Sequence, residues 1–392
     1  MNKADRAIEL MRQLISVDTT PEKPTAPLLN MIEDLFQQNG VVYKKKMIKD
    51  GAHGVLLGRI GDDKPGGCLI SGHLDVVSVE GQEWATDPFT LHHADRRLYG
   101  RGACDMKGFI ACALSLIPDW RQQKLETPIY LGFTTDEETS VETINDLIGL
   151  IDPVNRPRIA ILGEPTSMEI VNGHKGVQEF FVDIKGIASH ASRPDLGENA
   201  IYVAHDIIGF VRDLGTRLEQ SHRDYSFNPP YATTNVGTIS GGIAVNIVAE
   251  ACRVAWDIRQ ILNQQADEVK AEFAAYIKDV IEPNYPNAKI LVNYMFMPAL
   301  EPRSANMAVD VAQHLLGLTY TETASFATEG GYLQAVGIDT IVCGPGSIKQ
   351  AHKADEYVDV TQIEQCVTML EGLSRPDILA QLASPQSKAD IH

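Results

Sequence analysis

His73 and Asp75 stand in Gly72-His73-Leu74-Asp75, just after the apolar run 68–71. Asp105 lies in Gly100-Arg101-Gly102-Ala103-Cys104-Asp105-Met106-Lys107-Gly108, where three glycines surround one acid ahead of an apolar stretch. Asp136, Glu137 and Glu138 follow the strand-like run 129–135. Glu164 precedes Pro165, and a residue before proline is held extended, so its carboxylate projects from a strand tip. His352 follows another apolar strand and the turn Gly344-Pro345-Gly346. Each has an ordinary reading alone: a capped strand end, a helix N-cap for Asp105, an exposed acidic turn. Together they put one Asp, two or three Glu and two His at the carboxyl ends of strands, where open α/β sheets place their sites. Adjoining acids repel one another unless a cation or solvent relieves them. Imidazole and carboxylate donors suit zinc or a related divalent ion, and no cysteine is needed, which points away from a closed structural zinc site. Such a set fits two metals bridged by one Asp, an arrangement that activates water and clamps an oxyanion.

Those residues require strands that end in one place. The first 175 residues alternate the two periodicities: helices over 3–16, 26–39 and 109–120, and strands over 54–60, 68–71, 129–134 and 158–162. This predicts an α/β fold, a mixed-sheet catalytic domain with helices on both faces. The middle reads differently. Phe180, Val182 and Ile184 alternate with polar residues, and Ile201, Ala204, Ile208, Val211 and Leu218 form one helical stripe. Strands follow over 232–239 and 249–262, with Cys252, Val254, Trp256 and Ile258 on one face, then a helix over 267–281 and a strand over 289–296. The order β-α-β-β-α-β is that of the ferredoxin-like split unit. It predicts an α+β domain at 178–297, inserted into a catalytic domain of 1–177 and 298–392, because helices at 303–316 and 365–374 and a strand at 340–343 return to the earlier pattern. After Ala380 the chain reads as frayed.

Composition narrows the partners. The 392 residues are 44% hydrophobic and 22% charged, ordinary for a globular chain of two or three domains. Lys plus Arg is 34 against 52 for Asp plus Glu, a formal charge of −18. Such a chain repels phosphate backbones and anionic surfaces, so neither nucleic acid nor membrane is an expected partner. The longest mostly apolar run, 109–117, falls well short of the ~20 residues that span a bilayer. Arg6, Glu9 and Arg12 interrupt any signal-like apolar segment near the start. Six cysteines with no CxxC pair read as buried thiols of a reduced, cytoplasmic protein.

The motifs Ser71-Gly72-His73-Leu74-Asp75, Gly100 to Gly108, Thr135-Asp136-Glu137-Glu138, Gly163-Glu164-Pro165-Thr166, Ser189-His190-Ala191-Ser192-Arg193-Pro194 and Ala351-His352-Lys353-Ala354-Asp355-Glu356 cover nearly the whole chain. In these motifs and their order it resembles the co-catalytic dinuclear zinc amidohydrolases and exopeptidases, which include acetylornithine deacetylases, succinyl-diaminopimelate desuccinylases and glutamate carboxypeptidases. The resemblance implies two divalent metal ions, zinc with cobalt as the alternative. His73, Asp105 and Glu164 would hold one ion, and Asp105, Glu138 and His352 the other, with Asp105 bridging. Asp75 would orient His73. Glu137 would be the general base, a choice between Glu137 and Glu138 that the residues alone leave open.

The inserted domain matches the family's lid and dimerisation domain. A homodimer through the lid is therefore expected, with His190 reaching the partner's site to steady an oxyanion. Asn246 and Arg259 correspond to substrate binders, Arg259 through its fork toward an α-carboxylate, with a plain salt bridge equally open to it. Thr328 and Gly330 belong to a loop lining the cleft, and Glu329 beside them is a candidate partner for a cationic substrate group. A cis peptide between Asp105 and Met106 is also implied. The stretch from Cys343 to Tyr357 is most like the acetylornithine deacetylases. The expected substrate is thus a small N-acyl amino acid, N-acetylornithine, released as ornithine and acetate in arginine biosynthesis. A desuccinylase or another amidohydrolase or exopeptidase of the same family is the alternative.

Overall fold

Eight strands form a mixed sheet in a computed structural model that describes residues 2–383. Their order is Val42–Ile48, His53–Ile60, Ile129–Thr134, Cys68–His73, Ile159–Leu162, Asp339–Val342, Val171–His174, Glu322–Ala324. The four from Ile129–Thr134 to Asp339–Val342 run parallel to one another. Antiparallel pairs flank them on both sides. The first three of the parallel four are buried at every position. That explains why they read as continuous apolar runs and not as alternating ones: a parallel sheet is covered on both faces.

Neighbouring residues of one strand show the two covers. A side chain at Gly72 would meet Met106 and Ile110, at the start of the helix Lys107–Ser115. Leu69, of opposite parity and so on the other face, lies beside Gly132 and the Leu147 side chain of the helix Thr143–Leu150. The helix Lys107–Ser115 is itself buried along its whole length, sharing the main core with Met11, Ile363 and Leu370.

The chain packs as two compact units. One takes the residues up to Asn172, Pro302–Glu322, and the chain from Thr328 onward; the other takes Gly173–Glu301 and Thr323–Ala327. In the second unit an antiparallel sheet runs Thr233–Gly241, Ala251–Gln260, Gly176–Lys185, Lys289–Met297, with helices Ala200–Glu219 and Asn263–Tyr276. Its core is aromatic: Phe180 stacks on Trp256 at 4.1 Å between ring centroids, and Phe273 meets both edge-on. Phe180, Val182 and Ile184 are buried, as are Cys252, Val254, Trp256 and Ile258, the two alternating sets read from the sequence.

Several boundaries differ from the periodicity. The helix expected over 109–120 is two helices, Lys107–Ser115 and Ile117–Arg121, because Pro118 cannot continue an i→i−4 ladder and opens the second instead. The helix expected from 303 starts at Met307, where the Asn306 side chain accepts from the N–H groups of Ala308 and Val309. The helix expected over 267–281 begins at Asn263 and passes into a π-turn, Ile277–Ile281. The frayed end expected after Ala380 starts within the helix Pro376–Ala383 and otherwise lies outside the described residues. The Asp105–Met106 peptide is cis. All six cysteines are buried thiols. Among the described residues, no helix is long and apolar enough to cross a membrane.

Candidate metal centre

The four parallel strands end side by side, and their carboxyl ends deliver the acids and imidazoles. His73 closes its strand, Glu137 and Glu138 follow Ile129–Thr134, Glu164 follows Ile159–Leu162, and His352 lies beyond Asp339–Val342. Asp105 arrives from the loop ahead of the helix Lys107–Ser115. The strand ends can crowd together because two glycines stand there. A β-carbon on Gly163 would lie 1.9 Å from the Phe109 ring, and one on Gly344 would lie 2.1 Å from the Gly163 carbonyl oxygen.

Asp105 sits between the two histidines. His73 Nε2 is 3.1 Å from its Oδ1, and His352 Nε2 is 3.3 Å from its Oδ2. Glu164 Oε1 is 3.6 Å from His73 Nε2, and Glu138 Oε1 is 3.0 Å from His352 Nε2. Three groups of donors lie within 4.8 Å of one another: His73–Asp105–Glu164, Asp105–Glu138–His352, and His73–Glu137–Glu138. The other ring nitrogen of His73 faces the Asp75 backbone carbonyl at 3.0 Å and the Asp75 carboxylate at 3.5 Å. That carboxylate accepts instead from the backbone N–H groups of Glu137, at 3.3 Å, and Glu138, at 2.9 Å. Asp75 therefore steadies the next loop as well as the imidazole.

Electrostatics marks the cluster as a place that lacks positive charge. Burial and the nearby Glu164 push Glu137 well above the ordinary carboxyl value, and burial with Asp105 does the same to Glu164. Burial opposes the Asp105 carboxylate, yet hydrogen bonds with His352 and His73 hold it well below its ordinary value. Burial works against protonating His73, but Glu164, Asp105 and Asp75 outweigh it and raise the imidazole well above its usual value. Hydrogen bonds to Asp105 and Glu138 raise His352 to about 10. Nitrogen and oxygen donors around a divalent ion would relieve all of these strains together. Cys104, next in sequence to Asp105, is not part of the donor set: its Sγ donates to the Ser347 carbonyl at 3.3 Å, and burial keeps it a thiol.

The remaining residues named from the sequence divide between the units. Thr328 and Gly330 are buried in the first unit, where the Thr328 hydroxyl accepts from the Gly330 N–H. Glu329 between them is buried, and burial pushes its carboxyl up to about 8. His190, Asn246 and Arg259 belong to the second unit. There the His190 and Asn246 loops lie together: Ala191 N–H donates to the Asn246 carbonyl, and His190 bridges Ile247. His190 is exposed, its Nδ1 2.8 Å from the Ser192 hydroxyl. Arg259 donates from Nε to Asp257 at 2.7 Å, so its guanidinium already has an acidic neighbour on its own strand. Asp136 carried no separate role in the sequence. Its buried carboxylate accepts from Ser140 Oγ, the Glu142 N–H, and both the N–H and hydroxyl of Thr143, and so shapes the turn bearing Glu137 and Glu138. Its place in the acidic run drew notice, but of its holding role the sequence carried only an acid followed within seven residues by Ser and Thr.

Residues 69–375 match the sequence model of peptidase family M20/M25/M40. The chain belongs to this family. An acetylornithine deacetylase of Shigella sonnei is 34% identical over 372 residues, 93% of this chain and 95% of that protein. Among solved structures, the aminopeptidase PepT of Bacillus cereus superposes with a TM-score of 0.74 at 17% identity, covering 97% of this chain and 99% of that one. The Bacillus subtilis YXEP protein, described as a dinuclear metal-binding peptidase of the M20 family, gives 0.65 at 14% identity, covering 97% and 98%. These likenesses place the mixed sheet in the M20 fold. With the family membership and its named relatives, they make this M20 chain a metal-dependent amidohydrolase.

Proposed function

We propose that this M20 hydrolase cleaves the amide bond of an N-acyl amino acid, with N-acetylornithine as its substrate and ornithine and acetate as products, in cytoplasmic arginine biosynthesis. The observation that carries the chemistry is the gathering of two imidazoles and four carboxylates at the ends of four adjacent parallel strands, with Asp105 between the histidines. The choice of substrate rests on the relatives named acetylornithine deacetylase. His73, Asp105 and Glu164 would hold one divalent ion and Asp105, Glu138 and His352 the other, zinc with cobalt as the alternative. Bound there, the ions supply Lewis acidity that eases deprotonation of water and steadies an oxyanion.

The chain's own residues do the rest. Glu137 takes the proton of the attacking water and passes it to the leaving amine, a task open to it because it lies beside both proposed ligand sets and belongs to neither. Asp75 holds the backbone beneath Glu137 and Glu138, so base and ligand keep a fixed spacing. The ferredoxin-like second unit serves as lid and dimerisation domain. Its strand Thr233–Gly241 is an edge with Ile239 exposed, and such an edge is a ready pairing surface for a second copy. His190 and Asn246, on neighbouring loops, donate to the substrate's carbonyl region, and Arg259 grips the α-carboxylate. Glu329 meets the δ-ammonium, which would compensate a carboxylate otherwise costly to bury.

The test compares kcat/KM for N-acetylornithine, N-acetylnorvaline and N-succinyl-diaminopimelate, each with zinc and with cobalt. The acetylated amino acids should be preferred, and ornithine above norvaline. Preference for the succinyl compound would overturn the substrate, and equal rates for the two acetyl compounds would remove the role given to Glu329.

A further inference from the structure

A buried ion pair ties together two loops that carry candidate ligands. The side chains of Arg101 and Glu356 are 1% and 0% exposed, and Arg101 Nη1 lies 2.6 Å from Glu356 Oε2. Glu356 Oε2 also accepts from the Gly102 N–H at 3.2 Å. Its Oε1 accepts from the N–H groups of Cys104, at 2.7 Å, and Asp105, at 3.0 Å. One carboxylate thus grips the backbone on which Asp105 stands. Four residues before Glu356 is His352, whose φ of 63° is in the left-handed region, as is Asp355 at 54°. Residues with side chains rarely adopt that conformation, so the surroundings must impose it.

Arg101 supplies much of that restraint. Its Nη1 reaches the Lys353 carbonyl at 3.4 Å, and its Nη2 donates to Gln82 Oε1 at 2.6 Å. Gln82 in turn donates from Nε2 to the His352 carbonyl at 3.0 Å. The guanidinium also lies over the Trp84 ring, 5.1 Å from its centroid. Burying an ion pair gains little stability for its own sake, so one whose carboxylate and both Nη atoms are tied to these two loops is best explained by the geometry it fixes.

We propose that Glu356 is a positioning residue: with Arg101 it fixes Asp105 against His352, so that the set Asp105–Glu138–His352 is formed before an ion arrives. The proposal rests on the two-metal reading above. It also predicts an asymmetry. The other set shares Asp105, but its remaining donors, His73 and Glu164, come from the ends of Cys68–His73 and Ile159–Leu162, strands paired in parallel register, whereas Asp105 and His352 both stand on the loops that Glu356 and Arg101 tie together. Loss of Glu356 should therefore weaken one metal position far more than the other.

The experiment titrates metal-free wild-type and E356Q chains with Co²⁺, reading affinity by calorimetry and coordination by the visible d–d absorption. In E356Q one oxygen becomes an NH₂ that must face either the Cys104 and Asp105 N–H groups or Arg101 and the Gly102 N–H, so the charge and half of the grip are lost while the side-chain shape is kept. Outer-shell changes of this kind typically cost about 10–100-fold in metal affinity, and that loss should fall on the second equivalent, with a changed d–d spectrum, while the first stays within about threefold of wild type. Arg101→Lys, which keeps the charge but loses the fork, should shift the second equivalent in the same direction. It decides the question if E356Q proves unfolded by circular dichroism. An unchanged second equivalent, or equal weakening of both in a folded variant, overturns the proposal. A wild-type chain that takes a single ion overturns the two-metal reading itself, and is recognised because it needs no variant.

Discussion

Replacing Glu137 by Gln separates base from ligand. Glu137 lies outside both His73–Asp105–Glu164 and Asp105–Glu138–His352, so neither proposed metal position loses a donor. Its backbone N–H stays on Asp75 Oδ1 at 3.3 Å whatever the side chain, and Gln has the shape of Glu. What disappears is the capacity to accept a proton. A general base contributes about 10²–10⁴-fold, so kcat on N-acetylornithine should fall by that factor, equivalent to about 3–5 kcal/mol on the barrier. KM should change little. Glu138→Gln is the counterpart: it weakens the donor 3.0 Å from His352 Nε2, and metal content should drop from two ions per chain toward one. Steady-state kinetics at saturating metal, with metal content measured on the same samples, provides the assay. If E137Q keeps two ions and turns over within about tenfold of wild type, another group moves the proton. Should E137Q lose an ion while E138Q keeps both, the two roles are exchanged.

Gly163→Ala would put a methyl group 1.9 Å from the Phe109 ring, and overpacking of this kind costs about 1–3 kcal/mol. Urea unfolding should show that loss and its partial recovery in G163A/F109L; an unshifted midpoint would mean the ring yields freely. His174 is fully buried, and burial lowers its imidazole from 6.5 to about 4. The folded chain refuses a proton that the unfolded chain accepts, so this contribution is complete above pH 6.5 and disappears as pH falls toward 4, roughly 3 kcal/mol across the window. Unfolding of metal-free wild type between pH 7 and 4.5 should show that slope and His174→Gln should flatten it; parallel curves would refute the assignment. Finally, mixing His190→Ala and Glu137→Gln chains should restore part of the activity if the lid histidine acts across a dimer, because one site then has both groups intact. No recovery after verified subunit exchange argues against a shared site.

His73, Glu138 and Glu164 were legible because they stand where an apolar run stops, Asp105 because three glycines surround it ahead of an apolar helix, and His352 because it follows the turn after another apolar strand. Three strands buried at every position leave near-continuous hydrophobic stretches, and a His or acid just beyond one is conspicuous. The edge strand Val42–Ile48 was not legible: Lys44, Lys45 and Lys46 mask its alternation, and lysines are what an exposed edge needs against unwanted pairing. The small sheet of His92–Ala94, Arg97–Tyr99 and Tyr357–Asp359 escaped for another reason, since its strands have three residues each and one comes from more than 250 positions away. In the second unit, two faces of alternating apolar residues made the strands clear. Asp136, Arg101 and Glu356 stand inside the quoted motifs, but their holding roles were not legible, because their partners are backbone groups and side chains distant in sequence, such as Glu356 for Arg101.

The place of Asp339–Val342 in the sheet has a consequence for synthesis. It is the parallel neighbour of Ile159–Leu162, yet it is encoded roughly 180 residues later, after the whole second unit. At about 5–20 residues per second, a ribosome leaves the open side of Ile159–Leu162 waiting for on the order of ten to thirty-five seconds. During that interval a fully apolar strand has one unpaired edge, and the nascent chain holds Glu164 without His352. Until Asp339–Val342 is made, that edge is an open pairing surface on the growing chain. If Asp105, Glu138 and His352 hold an ion as proposed, that position cannot be complete until nearly everything else has been translated.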